Sequence, residues 1–346
     1  MPKKSRTKKQ KPMSKISTKS AKRLTPSKKK RTKKVLAYDI GGTKVHVAII
    51  DEKGRVLDEA RVTLDFSQGK NDVFRQWIDA GKKLLLLHPE VRKVGVASAG
   101  PLDPARGLLL DPTNFKDADG KTWGVVPIVK LLSRGLGNLP VVLENDAAAA
   151  VLAEHWVGAA RAAGDCMIIT LGTGVGTGMM VAGELVRAGK GLHTEGGHMI
   201  IRAGDASATC GCGNHGCVEA YLSGRNFERR ARIALGAKPG EPGFSGLELA
   251  NRARGGDLEV LALFEEYAEL LAVAVHNFVV LYAPKVVVLA GSFANAADLF
   301  LEKTRANLEE LLVRRRHGVD FLPKLVVSSL DNRAGVLGGA FVAFQR

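Results

Sequence analysis

A chain of 346 residues that is 45% hydrophobic has material for the buried cores of two domains. No apolar run has the length of a transmembrane helix or the form of a secretory signal core, which excludes those two classes and leads us to expect a soluble, cytoplasmic protein. The net charge of +16 suggests an acidic partner only until it is split by position: residues 1–34 contain 16 Lys or Arg and no acid, which leaves 35 bases against 35 acids in the rest.

The first 34 residues carry too little apolar surface to offset the entropy of ordering, so they read as a disordered tail. Such a tail is a solvated appendage, able to hold nucleic acid, polyphosphate or another polyanion non-specifically by counterion release. From Val35 the pattern alternates strands and helices. VLAYDIGG and VHVAII form a hairpin of strands around a glycine turn, and RVLDEARVTL extends it. DVFRQWIDAGKKLLLLH has helical spacing, KVGVASAGP is a buried strand, VVPIVKLLSRGL is a helix and PVVLEND another strand.

A second set repeats that order. It comprises helix AAAAVLAEHWVGAA, strands CMIITLG and GMMVAGELV, a Gly- and Cys-rich loop, and helix VEAYLSGRNFERRARIALG. The long helix LEVLALFEEYAELLAVAVHNFVVLY, strand KVVVLAG, helix AADLFLEKTRANLEELLVRR, strand LPKLVVSSL and a closing helix AGVLGGAFVAF follow. Mixed α/β architecture is the expectation.

Two glycine turns carry chemistry. The first, Asp39-Ile40-Gly41-Gly42-Thr43-Lys44, ends a strand in an acid before adjacent glycines. Such a turn can close an ordinary hairpin, or let backbone amides converge on a phosphate while Asp39 holds Mg²⁺ directly or through water. The second runs from Gly172-Thr173-Gly174 to Gly178. A dinucleotide fingerprint requires a helix next, and MMVAGELV reads as a strand, which argues against a Rossmann site. Two hairpins gripping one phosphate chain from opposite sides is the alternative.

Asp146 ends PVVLEND and opens the alanine-rich helix. An acid there can cap the helix, and the dipole favours its ionised form. An ionised carboxylate at a strand mouth also suits a general base for a hydroxyl nucleophile.

Cys210, Cys212 and Cys217 crowd into eight positions. One intervening residue is poor disulfide geometry for the first pair, so metal binding is the better account. Three thiolates and an imidazole would form a closed, structural tetrahedral zinc site, with His193, His198 and His215 all open as the fourth ligand on spacing alone. Cys166 begins a strand and reads as core.

DIGGTK, ENDAAAA, LGTGVGTG, HTEGGH and CGCGNHGCVE, in this order, resemble the ROK family of bacterial sugar kinases and related repressors, in particular its ATP-dependent glucokinases. The resemblance runs from about Val35 to the C-terminus and implies an actin-like, ribonuclease-H-like fold of two α/β domains flanking a cleft: residues 35–145 with a returning helix 333–346, and residues 146–332 with the zinc loop. It implies MgATP as phosphoryl donor to the 6-hydroxyl of a hexose, most readily glucose, with fructose, mannose and N-acetylmannosamine as alternatives, and a homodimer or homotetramer. It makes Asp146 the catalytic base and gives the sugar Asn114, Asn145, Asp146, Glu195, His198 and Glu219. The nucleotide side takes Asp39, Gly41, Gly42, Thr43, Lys44, Gly172, Thr173, Gly174 and Gly291. The resemblance selects His198 to complete the zinc set with Cys210, Cys212 and Cys217. The chain departs from the family pattern at Ser98-Ala99-Gly100-Pro101 and in having fewer glycines around Gly291. A sugar-sensing regulator of the same family would carry a folded winged-helix domain ahead of DIGGTK, which 34 lysine-rich residues cannot supply. Polyphosphate-using relatives generally lack the cysteine cluster, which favours ATP.

Overall fold

The computed structural model describes residues 32–346 except 113, 114, 118, 239 and 314–318. The lysine-rich segment through residue 31, and Asn114, therefore lie outside the described residues. Residues 33–346 form one compact unit.

β1 (Lys34–Ile40) and β2 (Lys44–Asp51) pair antiparallel across the first glycine turn, with Asp39 opposite His46. β3 (Val56–Thr63) adds to the outer edge of β2. α1 (Lys70–Leu87) buries Val73, Trp77, Ala80, Gly81 and Leu84, the three-and-four spacing that puts one apolar stripe against a sheet. β4 (Val94–Ser98), buried at every position, lies parallel to β1. A small sheet of β5 (Leu102–Asp103), β6 (Leu108–Leu110) and β7 (Val125–Val126) follows, then α2 (Ile128–Gly135). The single helix expected over VVPIVKLLSRGL is thus shortened. Val125 and Val126 pair with β6 because Pro127 disfavours helical backbone in the residue before it, and α2 starts after the proline. β8 (Val141–Asn145) completes the first sheet in the order β3-β2-β1-β4-β8.

The second sheet repeats this arrangement. α3 (Asp146–Val157) leads to β9 (Cys166–Leu171), β10 (Val175–Val181) and β11 (Glu184–Leu185). After the cysteine loop come α4 (Val218–Leu222), α5 (Gly224–Ala234), α6 (Gly246–Arg254) and α7 (Leu258–Tyr282). β12 (Val286–Ala290), α8 (Leu301–Leu311), β13 (Lys324–Val327) and α9 (Ala334–Gln345) end the chain. The order is β11-β10-β9-β12-β13, again a meander on one side and parallel strands on the other.

The one helix expected over residues 218–236 is two. Ser223 adopts extended backbone, and its hydroxyl accepts from the Asn226 amide at 3.2 Å, so the serine caps α5. The break turns the Gly224 N–H onto the Gly172 carbonyl at 2.8 Å, docking α5 on the second glycine turn. Likewise α8 begins only at Leu301, after a 3₁₀ stretch over residues 292–299.

α3 and α9 cross between the sheets. The alanine run of α3 leaves no long side chains to hold its neighbour off, and α9 packs on both α3 and the strands β1, β4 and β8. At the closest point a Cβ on Gly338 would lie 2.0 Å from the Ala149 carbonyl oxygen. Gly338→Val is expected to lower the thermal midpoint, at the cost of about 1–3 kcal/mol usual for overpacking. An unchanged midpoint in thermal denaturation would show that the helices re-space freely.

Candidate active site

β8 delivers Asn145, and α3 starts at Asp146. The structure gives the cap to Asn145 rather than to Asp146. The Asn145 side-chain oxygen accepts from the Ala147 and Ala148 amides at 3.0 and 3.1 Å, which leaves only its Nδ2 for any ligand. Asp146 accepts from the Ala147 amide at 2.8 Å and from the Asn145 side chain. Burial pushes its carboxyl above the usual range, and the charge of Glu195 adds to that, against the Ala147 N–H and His193.

Asp39, at the end of β1, is close enough for Asp146 to act on it. Burial, with the Asp146 charge second and Arg61 opposing, holds the Asp39 carboxyl up at about 7. The turn that follows closes as a hairpin, Gly41 N–H donating to the Lys44 carbonyl at 3.0 Å. Gly41 and Gly42 are half-buried, while Thr43 and Lys44 face solvent. In the second turn Gly172 N–H donates to the Gly174 carbonyl at 3.0 Å, and Thr173 is exposed. Two residues on, Gly176 packs against Ala147, the neighbour of Asp146. Both glycine turns therefore come close to Asp146.

Gly291 follows β12 and abuts the backbone of Leu171, which leads into the second turn. A cavity of about 540 Å³ opens here, lined by Gly172 and Thr173 together with Arg225, Glu228, Ser245 and Asn295. Its size suits a nucleoside. The last four residues come from α5, the start of α6 and the loop after β12. Sequence reasoning missed them because no motif spacing joins three separate segments. The Ser-Gly break before α5 is the one local signal that pointed there.

The ligand atoms of His198, Cys210, Cys212 and Cys217 lie within 4.8 Å of one another. The thiols of Cys212 and Cys217 are 3.8 Å apart, and His198 Nδ1 is 3.4 Å from Cys210 Sγ. A tetrahedral zinc with Zn–S bonds of about 2.3 Å has S···S edges of about 3.8 Å, so the four groups fit that ion. His215 is exposed in a short bridge with Thr209, and His193 turns to Glu195 instead. The pocket side of His198 is its Nε2, which faces Glu195 Oε2 at 3.9 Å. Cys166 lies apart in β9, where burial pushes its thiol up to about 12. Glu219 joins the two centres. Its Oε2 accepts from the Val175 amide beside the second turn at 2.9 Å, and its Oε1 accepts from Cys210 Sγ at 3.5 Å.

One more pair escaped the sequence. Glu144, fully buried just ahead of Asn145, accepts from Arg187 Nη1 at 3.0 Å, with a second contact to Arg187 Nη2. Arg346, the last residue of the chain, reaches the same carboxylate at 3.4 Å. Arg187 follows β11, so this bidentate pair ties the first sheet to the second immediately behind Asp146.

A model of the ROK family matches residues 35–346. The chain belongs to the ROK family. This ROK chain is 29% identical over 326 residues to the glucokinase of Thermotoga maritima, covering 90% of this chain and 98% of that protein. Among solved structures it resembles the ROK hexokinase from Thermus thermophilus, with a TM-score of 0.77 and 30% identity over 90% of this chain and 98% of that one. It also resembles a ROK family glucokinase from Streptomyces griseus in complex with glucose and AMPPNP, with a TM-score of 0.74 and 29% identity over 90% of this chain and 100% of that one. Kinases of N-acetylated hexosamines and xylose repressors are also among the similar proteins. The paired sheets are those of the actin-like ATPase fold that the motifs led us to expect. No helix among the described residues is long and apolar enough to cross a membrane.

Proposed function

We propose that this ROK sugar kinase transfers the γ-phosphoryl group of MgATP directly to the 6-hydroxyl of a hexose, glucose foremost. One arrangement carries the reading: Asp146 opens α3 at the end of β8, near Asp39 at the end of β1, with Gly41 and Gly42 following Asp39 and Gly176 packed on Ala147. The glucose and AMPPNP bound by the Streptomyces griseus relative support the choice of sugar and donor.

In this mechanism Asp146 accepts the proton of the 6-hydroxyl as that oxygen forms its bond to the γ-phosphorus, and the bond from the γ-phosphorus to the β,γ-bridging oxygen breaks to release ADP. The amides of both turns cradle the phosphates, and the cavity beside Gly172 takes the nucleoside. Asp39 suits Mg²⁺, because a carboxylate beside a second acid, only partly offset by Arg61, gains from the charge a hard cation would supply. That cation neutralises phosphate charge when bound. Asn145 donates through Nδ2 to the sugar, while Glu195, Glu219 and His198 Nε2 complete its hydroxyl contacts. Zinc, held by His198, Cys210, Cys212 and Cys217, leaves no open position for chemistry and serves to fix the imidazole tautomer. The halves 35–145 with 333–346, and 146–332, form the two jaws of the cleft.

A second reading, an N-acetylated hexosamine as acceptor, is favoured by an apolar cavity of about 500 Å³ bordered by Glu195 and His198 and lined by Met167, Met179 and Phe278. ADP release measured over glucose, mannose, fructose, N-acetylmannosamine and N-acetylglucosamine decides. Glucose is expected to give the highest kcat/KM. Absence of stimulation by every sugar would sink the kinase reading, and preference for an acylated sugar would favour the second.

A further inference from the structure

Glu195 is the most exposed of the described groups assigned to the sugar, with 57% of its side chain open to solvent. A glutamate so placed is a free rotor unless something holds it, and a carboxylate that must be ordered by its ligand binds that ligand less tightly. The residue that holds it is His193. Its imidazole is 93% buried, and Nε2–H donates to Glu195 Oε1 at 2.8 Å. The bond is charge-assisted on the acceptor side, and with burial opposing it draws the Glu195 carboxyl below its ordinary range. Glu195 Oε2 is left over and points toward His198 Nε2, so the two free sugar-facing atoms are presented side by side.

What fixes the imidazole is packing across the seam. Its ring lies against Gly100 in the turn after β4, where an added Cβ would stand 2.9 Å from the His193 Cε1 and 3.6 Å from the Asn145 Nδ2. Gly100 and Asn145 belong to the first sheet's side, whereas His193 and Glu195 belong to the second. Nδ1 is buried with no hydrogen-bond partner among the described residues, so the polar anchor of the ring there is Glu195 itself. His193 is also among the groups that act on the Asp146 carboxyl, as is Glu195, so the imidazole is near the base as well as the sugar-facing acid.

We infer that His193 is a positioning residue for sugar binding, setting the Glu195 carboxylate in advance and registering it against Asn145 and Gly100. This rests on the reading of Glu195 as a sugar-binding group. The energy it saves appears on sugar binding, before phosphoryl transfer, so the effect falls on the sugar KM rather than on kcat or on the ATP KM.

The test uses the full, zinc-loaded chain with glucose as probe, by calorimetry and by steady-state kinetics. His193→Phe keeps a planar ring without a donor and is expected to raise the glucose Kd and KM by about tenfold, with kcat within about threefold, ATP KM unchanged and zinc content intact. His193→Gln keeps one N–H near the position of Nε2 and is expected to recover most of that loss. In a cycle with Glu195→Gln the double variant is expected to bind little worse than Glu195→Gln alone, because both single changes remove the same charge-assisted bond. Wild-type affinity in His193→Phe, equal impairment of the Phe and Gln variants, or full additivity in the cycle each overturn the inference. Should Glu195→Gln weaken glucose binding while His193→Phe does not, only the role of His193 falls. Should Glu195→Gln leave the affinity untouched, the sugar-site reading falls with it.

Discussion

Asp146→Asn is expected to lower kcat by about 10²- to 10⁴-fold, the range over which a positioned general base contributes, while glucose affinity and the thermal midpoint change little. The expectation follows from the division of labour at the start of α3. Asn145, not Asp146, satisfies the first helical amides, so neutralising the acid removes no cap. The asparagine side chain keeps an oxygen for the Ala147 amide at the same position. The same residue sets a pH dependence. Burial raises the Asp146 carboxyl above its ordinary value, so the active ionised form is lost as pH falls through a region higher than an exposed aspartate would show. The groups facing it are His193, Glu195 and Asp39, of which His193 opposes the shift and Glu195 adds to it. The acid limb of the kcat profile is therefore expected above the usual carboxylate range and absent from Asp146→Asn. Full rate in that variant, or an acid limb it leaves in place, would remove Asp146 from the chemistry.

Stripping the metal is expected to have the second largest effect. One zinc per chain should be found by metal analysis of the purified protein, and Cys212→Ser or treatment with a chelator should abolish it. The ligands come from two segments, the loop at His198 and the turn 210–217, which backbone bonds such as Val218 N–H to the Met199 carbonyl at 2.9 Å already join and which the ion would clamp further. Metal binding at such a closed set is folding free energy. A loss of about 3–4 kcal/mol corresponds to a fall in the thermal midpoint of roughly 10 °C for a domain of this size. Cys212 is the exposed member, so its replacement by serine empties the site without making a hole in the core. The fall should be accompanied by weaker glucose binding, since His198 would lose the partner that fixes its tautomer. A protein without zinc, or one whose stability ignores the chelator, would leave three thiols with no structural task.

Much of this architecture is local, and local signals were legible. The hairpins around Gly41–Gly42 and Gly172–Gly174 form from residues adjacent in sequence, and the alternation of Val, Ile and Ala in their strands marks burial on both faces. Asp146, the cysteines and the Glu195–His198 segment were found because each sits inside a compact motif whose order along the chain is distinctive. What stayed hidden depends on contacts between distant residues. The Glu144–Arg187 pair spans 43 positions, and neither residue stands in a pattern that names the other. The lining of the nucleoside cavity is drawn from α5, α6 and the loop after β12, which only tertiary packing brings together. The exchange of the capping role between Asp146 and Asn145 has another cause. Both residue types cap equally well, so only the backbone geometry of the strand end decides which oxygen faces the helix. The break at Ser223 was readable in principle, because serine before glycine is a stop signal as well as a cap.

The two oxygens of Glu219 look in different directions, one to the amide beside the second glycine turn and one to a cysteine of the metal cluster. Anything that stiffens that carboxylate at one end restricts it at the other. A zinc thiolate has no proton to donate, so filling the cluster would free that oxygen while the Val175 amide keeps the other. A single acidic side chain would thus carry the state of the adjoining cysteine cluster to the edge of the second glycine turn.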